Sequence, residues 1–141
     1  MKEYSIFLEI CSKSLSLHSL IDIFGDCAAS SINKGEVSDL ITDPAPWPYS
    51  SWRIDVPDSV DSSDLNAQLR YLLAHPAVTG LQASKQRVPG DATCNINIGV
   101  MSDSYVTVFS IQSSNVHAMR LIDCNLIISF YPTDFSSQDG L

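Results

Sequence analysis

Three stretches of this chain alternate apolar and polar residues with a period of two, and this constrains the fold more than any other feature. In YSIFLEIC, Tyr4, Ile6, Leu8 and Ile10 share one side, and Ser5, Phe7, Glu9 and Cys11 share the other. In WRIDVP, Trp52, Ile54 and Val56 are in phase, opposite Arg53 and Asp55. In TCNINIGV, Cys94, Ile96, Ile98 and Val100 oppose Thr93, Asn95, Asn97 and Gly99. Side chains alternate across a strand, so each stretch has one face for a core and one for water. A sheet built from them is covered on one side only, the usual state of antiparallel sheets.

Helical stripes supply the cover. Leu17, Leu20, Ile21 and Phe24 recur at helical spacing, with Ser14 or Ser16 available as a cap and Gly25 where a left-handed exit is wanted. Leu65, Leu69, Leu72 and Leu73 form a second stripe, with Asp61, Ser62 and Ser63 as candidate caps, Asp64 near the positive helix end, and Pro76 to stop it. SSNVHAMRLIDC reads as a third helix, capped by Ser113 or Ser114, with Val116 and Met119 inward and an exit at Asn125. MSDS is a short link from TCNINIGV into YVTVFSI, which predicts a β-hairpin, and LIISFY closes as a strand.

The resulting order is β-α-(loop)-β-α-β-β-α-β. It predicts an α+β domain, a mostly antiparallel sheet with helices packed on one face, close to a ferredoxin-like arrangement. The chain has 141 residues, of which 45% are apolar, enough for one domain with a proper core. The domain is expected to span 1–134, with 135–141 as a polar tail. Between Cys27 and Ser51 the periodicity fades into a stretch rich in Ser, Asp and Pro, read as a long ordered loop of the kind that often carries function.

Charge narrows the partners. The formal net charge is −8, with only eight Lys and Arg. Nucleic-acid binding depends on cations displacing counterions from phosphates, so nucleic acid is not an expected partner. No segment approaches the ~20 apolar residues of a membrane span, so no membrane is expected either. Glu3, Ser5 and Glu9 interrupt the opening run, which therefore reads as a strand and not a signal peptide, and the expected location is the cytoplasm. The cysteines, Cys11, Cys27, Cys94 and Cys124, form no CxxC pair and read as reduced core thiols.

The opening strand YSIFLEI with its helix, NKGE at Asn33 to Glu36, SSWRI, LNAQLRYLL, INIGV and LIDCNLIISFYP together resemble the bacterial family known as domain of unknown function 4279 (DUF4279). The resemblance covers nearly the whole chain, departing at Asn125, where a glycine is expected, and in the Pro-rich segment before Trp52. It implies a compact α+β fold without established catalytic residues, and it suggests an immunity-type protein that neutralises a toxin.

No metal, cofactor or catalytic site is read from the residues. His18, His75 and His117 lack a His or Cys at i+3 or i+4, and Asp58, Asp61 and Asp64 lack the alternation, glycine and terminal Glu of a calcium loop. There is no GxSxG elbow, P-loop or GxGxxG. In APWPYSSWRIDVP, Trp52 falls in the core phase, and its indole N–H needs an acceptor. Trp47 is held extended between Pro46 and Pro48, which offer no N–H to a ladder.

The expected function is a non-enzymatic protein-binding module, an immunity-type protein facing a basic toxin. Trp47, Tyr49 and Arg53 are the contact anchors, and Asp58, Asp61 and Asp64 form the rim that steers a basic partner. The alternative is a small-ligand-sensing regulatory domain binding on the sheet or between protomers. A hydrolase whose site is assembled by the fold ranks last. An exposed edge strand would also allow a homo-oligomer.

Overall fold

The alternating stretches become strands and pair in phase. A computed structural model describes residues 2–25, 50–81, 92–104 and 107–132. Strand β1 is Lys2–Ser12, helix α1 Leu17–Phe24, β2 Ser50–Asp55, α2 Leu65–Ala74, α3 Pro76–Thr79, β3 Thr93–Ser102, α4 Ser113–Leu121 and β4 Asn125–Pro132. Among the described residues the strands form one sheet in the order β2-β1-β3-β4. β1 pairs antiparallel with β2 and with β3, while β3 and β4 run parallel. The class is α+β, with a mixed sheet.

The core lies on one face. Tyr4, Ile6, Leu8 and Ile10 of β1, Trp52 and Ile54 of β2, and Cys94, Ile96, Ile98 and Val100 of β3 are buried in one cluster with Leu20, Phe24, Leu65, Leu69, Leu72, Val78 and Met119 from the helices. Trp52 is 1% exposed. Its ring packs on Phe24 at 5.4 Å, and its Nε1 donates to the Gly25 carbonyl at 2.8 Å. Gly25 ends α1 with φ 104° and ψ 159°, a backbone region open almost only to glycine. Its φ is positive as expected, but its ψ is extended, so the exit is not the left-handed helical one.

Local chemistry sets the helix ends. Ser16 caps α1 by accepting from the Ser19 N–H. Asp64, rather than Asp61, Ser62 or Ser63, caps α2 by accepting from the Ala67 N–H at 3.0 Å. Pro76 stops α2 and then opens α3, where its missing N–H costs nothing.

Four expectations are corrected. The ferredoxin-like order fails because, among the described residues, no hairpin partner follows β3: 107–112 has no regular structure, and β4 takes the place beside β3. Tyr105 lies outside the described residues, but Phe109 shows why the segment mimics a strand. It packs on Tyr4 at 6.1 Å and on Phe130 at 6.4 Å, so the segment lies along the core rim with one side in, joining no ladder. The turn before β4 is made by Asp123 at φ 55°, and Asn125 already begins the strand. On α4 Val116 is exposed and Asn115 is buried beside Met119. The buried amide of Asn115 bonds Asn66, so a hydrogen bond sets that face, not apolar spacing. Lastly, α4 carries no side-chain cap from Ser113 or Ser114, and Gln112 is its N-cap residue.

Candidate functional site

Three surfaces have the geometry to meet other molecules. The first is an acidic cleft at the end of the sheet where β2 leaves for α2. It holds about 510 Å³ and is lined by Tyr4, Asp55, Val56, Asp58, Val60, Asp61, Ser62 and Gln68, among others. The loop above it is braced from both sides. The Tyr4 N–H donates to the Ser62 carbonyl at 2.8 Å, and buried Gln68 donates through Nε2 to the same oxygen at 3.2 Å. Asp61 Oδ1 accepts from the Ser63 N–H and hydroxyl at 2.9 and 2.8 Å, and these bonds hold its carboxyl below the ordinary value of 3.8. An adjoining hollow of about 490 Å³ shares Tyr4 and Asp61 and adds Asp64.

Of the rim residues expected from sequence, Asp58 and Asp61 thus face one cleft, and Asp64 stands beside it with its carboxylate engaged in capping α2. Arg53 is half-buried on the open face of the sheet. Its guanidinium lies 3.6 Å from the Phe7 ring centre and pairs with Asp55 at 2.7 Å, so the chain's own groups hold it. Trp47 and Tyr49 lie outside the described residues. The loop at 27–49 does also, while Ser50 and Ser51 already belong to β2.

The second surface is the open face of the sheet. The register sets Glu9 opposite both Arg53 and Asn95, and Ser129 beside Gly99. Glu9, Arg53, Asn95, Asn97 and Ser129 therefore share this face, as their phases require. Glu9 accepts from Asn97 Nδ2 at 3.3 Å and from the Ser51 hydroxyl at 3.4 Å. Toward β4 the face holds a groove of about 540 Å³ bordered by Ser5, Phe7, Asn97, Gly99, Met101, Ser129 and Tyr131. A Cβ on Gly99 would meet Tyr131 Cε2 at 3.3 Å, so the bare glycine lets the tyrosine ring lie over the strand. Sequence reasoning placed the polar residues of this face but missed Phe7 and Tyr131 as its aromatic walls. The signal was Phe7, an aromatic in the polar phase of β1.

The third surface is β4 itself, nearly all of whose residues are exposed.

The chemistry of the remaining reactive groups is plain. Burial, with help from the nearby Glu9 charge, pushes the Cys11 thiol from 9.0 up to about 11. This is the opposite of an activated nucleophile, which needs its thiolate near neutral pH. His18 and His117 are exposed, and His75 uses Nδ1 to accept from the Ala77 N–H at 3.2 Å. Among the described residues no three His, Cys, Asp or Glu gather as a metal site would require, and no helix is long and apolar enough to cross a membrane.

Compared with models of known protein families, with curated proteins and with solved structures, the chain matches none of them. The resemblance to domain of unknown function 4279 therefore rests on the residues that carry it.

Proposed function

We propose that this chain is a protein-binding module that docks a basic partner on the acidic end of its sheet, and that its role is of the immunity type, neutralising a basic toxin. The observation that supports this most is the pairing of Asp58 and Asp61 on one braced cleft, with the Asp61 carboxylate positioned by its bonds from Ser63. A fixed negative rim on a chain of net charge −8 steers cationic partners and loses grip as salt rises.

The test uses the protein as bait in lysate of its own cell. The expected result is a basic polypeptide retained at physiological salt and released as salt is raised. A double variant, Asp58→Lys with Asp61→Asn, should retain it at least ~10-fold less, in line with the loss of two steering charges. Asn at 61 still accepts from Ser63, and Asp64 is left alone because it caps α2. A partner held equally well by the double variant, or no partner at all, would reject the proposal.

A second reading is favoured by the groove between Phe7 and Tyr131: a regulatory domain that binds a planar small ligand. Such a ligand would stack on the rings and hydrogen-bond Asn97. It should raise the melting temperature by several degrees, because it binds only the folded state. Asn97→Ala should abolish the shift. A panel of nucleosides, flavins and aromatic amines that leaves the melting temperature unmoved removes this reading.

A further inference from the structure

The two edges of the sheet differ in kind. β2 is short, and its residues are buried or half-buried. β4 runs for eight residues, and among the described residues no further strand pairs with its outer side. Leu126, Ile127, Ile128, Phe130 and Tyr131 are 38–59% exposed. Leu126, Ile128 and Phe130 point to the helix side, because they stand beside Ile96, Ile98 and Val100; Ile127 and Tyr131 point to the open side. The strand is apolar on both faces. It contains no Lys, Arg, Asp or Glu, and its single proline is the last residue. Proteins usually blunt a free edge with charge, a bulge or an early proline, because its unpaired N–H and C=O groups template another strand.

We infer that β4 is a self-association edge: two copies pair β4 with β4, antiparallel across a twofold axis, and join their sheets into one. The occupant is a second copy for two reasons. Two chains of net charge −8 repel over most of their surfaces, and β4 is a neutral strip along which they can approach. The strand is also self-complementary. With Ser129 on the axis, Ile127 faces Tyr131 of the second copy on the open side, and Ile128 faces Phe130 of the second copy on the helix side. Aromatic and β-branched residues make favourable cross-strand pairs. The area is adequate for a weak pair. At ~150–250 Å² for a whole aromatic side chain, the five exposed side chains present roughly 400–500 Å² per copy. Edge-to-edge pairing covers the flanks of these side chains and the strand's main chain and leaves both faces open, so the pair buries less than about 1,000 Å² in all, the range of a weak, micromolar association. Pro132, which has no N–H to donate, ends the new ladder.

The site is separate from the acidic cleft, so its test needs only the purified chain. Sedimentation velocity across the micromolar range should show wild type passing from monomer to dimer. Ile127→Lys and Phe130→Lys each set a charge against an apolar cross-strand partner, Tyr131 or Ile128 of the second copy, twice in the symmetric pair, and each should shift the dissociation constant at least ~10-fold. Far-ultraviolet dichroism and melting temperature should stay at wild-type values in at least one of them. Ser129→Cys should give a disulfide-linked dimer under mild oxidant where wild type gives none. A chain that stays monomeric up to high micromolar concentration overturns the inference, as does a dimer that both lysine variants leave intact. A dimer that Ser129→Cys fails to link overturns the Ser129-centred register.

Discussion

Trp52→Ala is expected to cost about 3–5 kcal/mol of folding free energy, the range for removing a buried aromatic from a packed core. Trp52 is among the largest fully buried side chains, and it joins β2 to the end of α1 through the Phe24 ring and the Gly25 carbonyl. The substitution opens a cavity where the helix layer meets the sheet and strips the Gly25 carbonyl of its donor. A domain of this size has about 5–15 kcal/mol in all, so the loss takes from about a fifth to all of it. Urea unfolding should show a much lower midpoint with an unchanged slope. Trp52→Phe separates the two contributions. It restores most of the ring but not the N–H, and the remaining deficit should be about 1–2 kcal/mol, close to the value of one hydrogen bond and some lost ring. If Trp52→Ala unfolds at the wild-type midpoint, the placement of this side chain is wrong.

The second large effect comes from a residue that no hydrophobic pattern marks. Asn66, in the first turn of α2, holds the segment leading into α4. Its Oδ1 accepts from the Gln112 N–H at 2.8 Å and from Asn115 Nδ2 at 3.2 Å, and its Nδ2 donates to the Ser110 carbonyl at 3.0 Å. Asn66→Ala removes all three bonds and leaves the buried Asn115 amide with the Asn66 backbone carbonyl alone. At about 0.5–1.5 kcal/mol per bond, with a further penalty for a part-orphaned buried amide, the expected loss is about 2–4 kcal/mol. The damage should be local first. Gln112 offers α4 no side-chain cap, so its start is tied down from α2, by Asn66 and by the Arg70 guanidinium, which donates to Gln112 Oε1 at 3.2 Å. Hydrogen exchange should therefore accelerate over 113–119 before it does in the strands. Asn66→Asp keeps both acceptor bonds and loses only the donor, so it should fall between alanine and wild type. Equal exchange in α4 of Asn66→Ala and wild type would refute this account.

These two residues mark what could and could not be read in advance. Trp52 was legible because a strand alternates, and its phase with Ile54 and Val56 assigns a side. The same logic set Glu9, Arg53, Asn95 and Asn97 in the outward phase of their own strands, and the register brings those phases to one side. Asn115 was illegible because its burial is offset by a partner 49 residues away, which spacing along the chain does not encode. Strand order was illegible for a related reason. Alternation over 107–111 reports one wetted side, and a ladder strand and a segment lying along a core rim share that property. The candidate cleft was half visible. The spacing of Asp58, Asp61 and Asp64 predicted a rim, but the turns of the loop decide that Asp64 caps a helix while Asp58 faces the cleft. For LIISFY, a strand was legible and its exposure was not, because an unbroken apolar run ordinarily goes inside.

The register of β1 also governs how this chain is made. Lys2 lies beside Ser102 and Cys11 beside Thr93, so β1 cannot complete its central pairing until about ninety more residues have left the ribosome. At roughly 5–20 residues per second, that delay is about 5–20 seconds, during which an apolar ribbon has only one of its two neighbours to bind. Pairings this distant also slow the search itself, since the loop between them must close first. The sheet cannot close until β3 and β4 have both emerged, and chaperones that shelter early β-segments would find a natural client in this chain.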